Sequence, residues 1–264
     1  MGVGKGVVSG ETRSLIAVPT TYAGSEMTPV FGSTDRAKGQ KSVRRDPTVL
    51  PKVVIYDPEV TLELSPELTA STAINALAHC VEACYARDVN PLVPPVALEG
   101  IRRIVRSLPL CITNGGNLDA REDLLTGAYL AGFSIGNATM ALHHGICHVL
   151  GGRTGVAHGV LNAIMLPHVM QFNAEAVPDA MSVIAAAMTP HPNPPQQGGR
   201  EFSAPEGVAA LVASLPVPKR LRDAGVPEAI LDEVGTEAAG NASVRNNPRP
   251  VTDADLRELL HKAW

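Results

Sequence analysis

Imidazole is the side chain whose ordinary titration falls nearest neutrality, and its two nitrogens both bind metal ions and move protons. This chain places four histidines within sixteen residues: His143, His144 and His148 in the run HHGICH, and then His158. On a helix, His144 and His148 are one turn apart and share a face, so together they can hold one metal ion or one substrate. The glycines at 151, 152 and 155 let the chain turn back and return His158 to the same place. Asn75 and His79 repeat the i, i+4 spacing, which sets an oxygen donor beside an imidazole in a familiar metal-binding arrangement. The oxygen donor is an amide without charge, hence a weaker ligand for a cation than a carboxylate. A third candidate is PTTYAGSEMT, residues 19–28, dense in hydroxyls around one glycine. A turn leaving the carboxyl end of a strand is where open α/β sheets bind ligands. Hydroxyls and main-chain N–H groups there suit a nucleotide, and equally suit the capping of a following helix. Gly2-x-Gly4-Lys5-Gly6 matches neither common nucleotide-binding glycine motif.

These groups need elements to position them. Two short β-branched runs, residues 15–18 and 53–56, end in Pro19-Thr20-Thr21 and Asp57-Pro58. Continuous apolar runs of this length predict strands buried on both faces. Two strands alone do not make a stable sheet. Beyond residue 60 the pattern is helical. Ser65-Pro66-Glu67 predicts a helix start, and residues 71–86, 98–108 and 124–141 carry apolar side chains at helical spacing. Residues 142–150 predict a helix stopping at Gly151-Gly152. Another is expected to start near Gly159 and to be bent or broken at Pro167. Thr252-x-x-Asp255 predicts a capping box ahead of Leu256, Leu259 and Leu260. Residues 189–205, rich in proline, read as an exposed loop.

At 264 residues, with 45% apolar side chains and a formal charge of −4, the chain has the composition of a globular protein with a substantial core. The mild acidity gives no electrostatic footprint for nucleic acid or an anionic membrane surface. No apolar run approaches the roughly 20 residues that span a bilayer. Cys80, Cys84, Cys111 and Cys147 form neither a zinc pair nor a disulfide framework, so reduced thiols and a cytoplasmic location are expected. The first ten residues lack the apolar stretch of a signal peptide, and the acceptor patterns at Asn137 and Asn241 carry no weight without one.

Six segments, taken in order, carry a resemblance to a known family: PTTYAGSEMTP (19–29), KSVRRDPTVLPKVVIYDP (41–58), INALAHCVEA (74–83), HHGICHVLGG (143–152), AHGVLNAIMLPH (157–168) and NPRPVT (247–252). Together they resemble the iron-containing alcohol dehydrogenase family over nearly the whole chain, the proline-rich segment excepted. The resemblance implies an α/β plus all-α architecture, like that of dehydroquinate synthase. Residues 1–60 would be part of a nicotinamide-binding α/β domain, and residues 61–264 an all-helical catalytic domain with an insert at 189–205. Thr20, Thr21, Ser25, Thr28 and Lys41 would meet NADH or NADPH in the cleft between the two.

In the family's metal-dependent members an Asp and three His hold iron or zinc. Carried over, those positions are Asn75, His79, His144 and His158, with His148 as the nearby catalytic histidine. Asn75 departs from the metal-dependent pattern. That departure is what the resemblance implies for family members that reduce a carbon–carbon double bond conjugated to a ketone, acting on a dicarboxylate. Arg153 and Arg249 are then candidates for pairing with substrate carboxylates. A metal-dependent alcohol or aldehyde dehydrogenase, or a folded remnant without turnover, are the alternatives. The family carries further strands and a Gly-Gly-Gly-Ser turn ahead of the first matched segment, so a chain shortened at its amino terminus is expected. An exposed sheet edge would invite pairing, and a homodimer is the expected assembly.

Overall fold

The computed structural model describes residues 14–35, 40–189 and 202–264, with only the backbone described at 33–35 and 40–43. Strand β1 (Ile16–Ala17) pairs in parallel with β4 (Val53–Val54), in the register Ile16 to Val53. Between them, β2 (Val30–Asp35) and β3 (Gln40–Arg45) form an antiparallel pair. The two runs expected as strands are therefore strands, but not buried ones: Ile16 is 60% and Val53 49% exposed. Among the described residues no further strand extends this two-stranded sheet. The polar pair β2 and β3, lacking an apolar signature, had no sequence signal.

The remaining elements are helices: α1 (Pro66–Ala83), α2 (Val93–Thr113), α3 (Leu118–Gly136), α4 (Leu142–Thr154), α5 (His158–Asn173), α6 (Pro178–Met188), α7 (Ala204–Ser214), α8 (Leu231–Ala239), α9 (Ala242–Arg245) and α10 (Asp253–Ala263). Ser65 caps α1 by accepting from the Leu68 N–H. Thr252 and Asp255 form the expected reciprocal box on α10. Two expectations are corrected. Helix α4 runs through Gly151 and Gly152 and stops at Gly155, whose φ of +70° is the left-handed turn that favours glycine. Pro167 lies inside an unbroken α5. The main-chain bond lost there is offset by burial of Leu161, Ile164, Met165, Leu166 and Val169 around it.

Two apolar cores result. The first joins α1, α2, α3, α6 and α7, and the second joins α4, α8 and α10. Helix α5 has apolar side chains on more than one face and belongs to both, giving Ala163, Leu166 and Met170 to the first and Leu161, Ile164, Met165 and Val169 to the second. Of the segment 189–205 expected as an exposed loop, residues 190–201 lie outside the described residues, and its end is corrected: Ser203 caps α7, and Ala204 and Pro205 are its first, buried residues.

Candidate functional site

The histidines meet where the two cores join. Helix α1 supplies His79, α4 supplies His144 and His148, and the first residue of α5 is His158. The rings of His79 and His144 stack at 4.7 Å with an 18° tilt, and those of His148 and His158 stack at 5.3 Å with a 20° tilt. His144 links the two stacks, 6.2 Å from His148 and 5.8 Å from His158 between ring centroids. Burial grades across the cluster: His79 and His144 are buried, while His148 and His158 are half-buried. Close approach of the helices makes this possible. A Cβ on Gly159 would stand 2.6 Å from the Ser71 carbonyl oxygen, so only glycine lets the start of α5 reach α1.

Burial holds the His79 ring well below the usual histidine range, and the neighbouring rings of His144, His143 and His148 push the same way. It is a neutral imidazole near pH 7, and its buried Nδ1 has no hydrogen-bond partner among the described residues. His143 departs from the cluster. Its Nε2–H donates to the Asn162 carbonyl at 3.1 Å, and burial again holds the ring low despite the nearby Glu82.

Sequence reasoning missed Glu82. It lies three residues beyond His79 on α1 and is fully buried, a rare state for a carboxylate without partners. Oε1 accepts the His143 N–H at 2.8 Å, while Oε2 accepts the Ala141 N–H at 3.1 Å and meets His144 Nδ1 at 2.7 Å. Helix α4 has no side-chain cap of its own, and its first N–H groups lack intrahelical partners. Glu82 caps it from another helix, where the helix dipole favours negative charge. Burial pushes the carboxyl up, partly offset by His143 and the main-chain donors. An acidic residue in the otherwise apolar stretch INALAHCVEA was the available signal.

Asn75 is anchored at both ends of its amide. Nδ2 donates to the Ala23 carbonyl at 3.2 Å, and Oδ1 accepts from Asn162 Nδ2 at 2.8 Å. It thereby ties the loop of residues 19–28 to the helix that carries His79. The same loop is fixed by Tyr22, fully buried, whose hydroxyl donates to Thr61 and accepts from Arg121. At Gly24 (φ +74°) the main chain lies directly on α3: a Cβ at Gly132 would stand 2.3 Å from the Gly24 carbonyl oxygen. Thr20 and Ser25 are exposed and Thr21 is half-buried. Thr28 is buried, and its hydroxyl accepts the Val30 N–H. Lys41 is on β3, with its side chain outside the described residues.

The two arginines expected at substrate are engaged elsewhere. Arg153 is five residues past His148 on α4, which turns it to another face, and its guanidinium donates to Glu237 at 2.7 Å on α8. Arg249 donates to the Phe172 carbonyl and lies 4.0 Å above the Phe172 ring. Asn247 explains the rest of that segment: it and Asn173 exchange reciprocal amide bonds in the core.

As donors for a divalent cation, His79, His144 and His158 are a fitting set of imidazoles, since neutral rings suit iron and zinc. The amide of Asn75, bonded at both ends, adds no charge. Glu82, His143 and His144 also bring ligand atoms within 4.8 Å of one another, but there the carboxylate already accepts from two main-chain N–H groups and a ring. The hydroxyls of Thr20, Thr21 and Ser25 fit the polar atoms of a dinucleotide.

The chain belongs to the iron-containing alcohol dehydrogenase family. Residues 2–58 match the family model described as iron-containing alcohol dehydrogenase, and residues 69–264 match the C-terminal model of the Fe-containing alcohol dehydrogenase family. The maleylacetate reductases of Burkholderia cepacia and Pseudomonas aeruginosa are both 40% identical over the whole of this chain, which spans 70% and 71% of their lengths. The crystal structure of maleylacetate reductase from Agrobacterium tumefaciens aligns with a TM-score of 0.84 at 38% identity, covering 95% of this chain and 67% of that one. A putative alcohol dehydrogenase from Ralstonia eutropha JMP134 aligns at 0.87 and 41%, with the same coverage. The fold is accordingly that of iron-containing alcohol dehydrogenases, with a helical body carrying the histidines. No helix among the described residues is long and apolar enough to cross a membrane.

Proposed function

We propose that this chain is a maleylacetate reductase, reducing the conjugated carbon–carbon double bond of maleylacetate to give 3-oxoadipate at the expense of NADH or NADPH. The observation that carries the reading is the four-histidine cluster with Asn75 in place of an acidic ligand, in a chain 40% identical to maleylacetate reductases along its length. A reduced nicotinamide, when bound, would supply the hydride required at the alkene carbon β to the ketone. A divalent ion held by His79, His144 and His158 would supply Lewis acidity at the ketone oxygen.

The chain's own task is to stabilise the enolate and return a proton to its α carbon. Donors fixed in advance at a developing oxyanion are worth most in a site that excludes water. Asn75 gives one of the two Nδ2 hydrogens of its amide to Ala23 and has a second to offer. It shares the task with the imidazoles. His148, half-buried where protons exchange with solvent, is the general acid in this reading. Thr20, Thr21 and Ser25 would position the dinucleotide, with the loop held rigid through Tyr22 and Ala23. The exposed apolar side chains of β1 and β4 support a homodimer, and a nicotinamide reductase of this kind belongs in the cytoplasm.

The test is a titration of the purified chain with NADH and NADPH, followed by nicotinamide fluorescence, and then addition of maleylacetate. Oxidation of the nicotinamide with formation of 3-oxoadipate is expected. Turnover of a simple aldehyde but not of maleylacetate would replace the reading with carbonyl reduction. Absence of nicotinamide binding would remove it.

A further inference from the structure

The hydrogen bonds around Glu82 fix more than the end of a helix. Both carboxylate oxygens accept a main-chain N–H, Oε1 from His143 and Oε2 from Ala141. Two main-chain donors at the start of α4, where the helix dipole favours negative charge, hold Glu82 as the carboxylate in this reading. A carboxylate only accepts, so at the 2.7 Å contact between Oε2 and His144 Nδ1 the ring donates. The neighbouring ring agrees. The Asn162 carbonyl can only accept, so His143 carries its proton on Nε2, and its Nδ1 is a lone pair. That lone pair faces His144 Nδ1 at 3.4 Å, again a position for a proton on His144 Nδ1. Two independent acceptors, on different elements, therefore call for the same proton.

We propose that Glu82 is a positioning residue that holds His144 in the tautomer protonated at Nδ1, so that the lone pair on Nε2 is what this ring offers to the histidine cluster. His144 is then an acceptor or cation ligand and not a proton donor to the enolate. Donation is left to the other rings, which separates the roles of His144 and His148 although they share a helix face. Glu82 would also raise the basicity of the Nε2 lone pair, as carboxylates behind metal-binding histidines do. The consequence for catalysis rests on the histidine cluster being the reaction site, but the tautomer itself does not.

Nitrogen-15 NMR of the histidine rings in the native chain reads the tautomer without reference to activity. A pyrrole-like Nδ1 and a pyridine-like Nε2 are expected for His144. Calorimetric titration of Zn²⁺ into the native chain and Glu82→Gln should show a loss of affinity on the order of 10–100-fold, with His144 in the variant no longer confined to one tautomer. His144 protonated at Nε2, or at both nitrogens, in the native chain would overturn the proposal. So would a zinc complex in which His144 binds through Nδ1, or a folded Glu82→Gln variant with unchanged tautomer and affinity. Should Glu82→Gln not fold, the native spectrum alone decides. Failure to turn over maleylacetate would leave all these readouts in place.

Discussion

Asn75 is a polar side chain whose two ends do different work. Its Nδ2 bonds to Ala23 and its Oδ1 to Asn162, so replacing it with Asp keeps one bond and sets a carboxylate against a carbonyl oxygen. Asn75→Asp is therefore expected to cost roughly 1–3 kcal/mol in the metal-free protein, seen as a lower melting temperature. Added Zn²⁺ should restore much of that loss, because the new charge lies beside His79. A melt unchanged by Zn²⁺ would mean that position 75 does not face the cation. The role proposed for His148 is tested by its removal: His148→Ala should lower kcat about 10²–10⁴-fold, with nicotinamide affinity held. The residue scale was also the most legible in the sequence. Spacing and the glycine turn pointed to His144, His148 and His158, and the family resemblance added His79, whose pairing with Asn75 is a weak signal alone; the structure brings the four together. Glu82 was not named, because nothing in one sequence says which buried acid will find a helix end to cap. The partners of the two arginines, Glu237 for Arg153 and Phe172 for Arg249, were not legible either, since a charge in a sequence does not say what engages it.

Elements were legible where local chemistry decides them and illegible where tertiary packing does. The caps at Ser65 and Thr252 could be read directly. The passage of α4 through two glycines and of α5 through Pro167 could not, since both depend on neighbours burying the helix. Gly159 shows how such packing enters the site. A methyl there meets the Ser71 carbonyl at 2.6 Å, so Gly159→Ala must push α5 off α1 and carry His158 with it. A stability loss of about 1–3 kcal/mol is expected, together with weaker Zn²⁺ binding by calorimetry. The cap of α10 gives a pH dependence with a definite sign. Burial would raise the Asp255 carboxyl, but bonds from the Thr252 hydroxyl and N–H, with Arg249 nearby, hold it below its usual value. A depressed carboxyl stabilises the folded state above its unfolded value of about 3.9, and loses that contribution as pH falls through the lower folded value. Melting temperatures of native protein and Asp255→Asn should therefore differ near neutrality and converge in acid.

Taken whole, the molecule is two cores with one helix common to both, and the histidines lie at their junction. Leu166 faces the first core and Leu161 the second. Truncating either to Ala is expected to cost about 2–5 kcal/mol and to shift one common transition. Trp264, the single tryptophan, packs on the second core, so its fluorescence reports that core alone. A Leu166→Ala melt in which Trp264 fluorescence keeps its native midpoint while helical ellipticity falls earlier would show the cores to be independent. The loop of residues 19–28 has a less obvious allegiance. By order along the chain it belongs with β1 and β4, whose side chains are exposed. By its bonds it belongs to the helices: Tyr22 to Arg121, a residue 99 positions away, Ala23 to Asn75, and Gly24 against Gly132. In amide exchange, where protection follows the cooperative unit that must open, the Tyr22 amide should exchange with α1 and α3 and outlast the strands on either side of it. The loop of residues 19–28 thus takes its lifetime from the body that carries the histidines, and the strands can fray without letting it go.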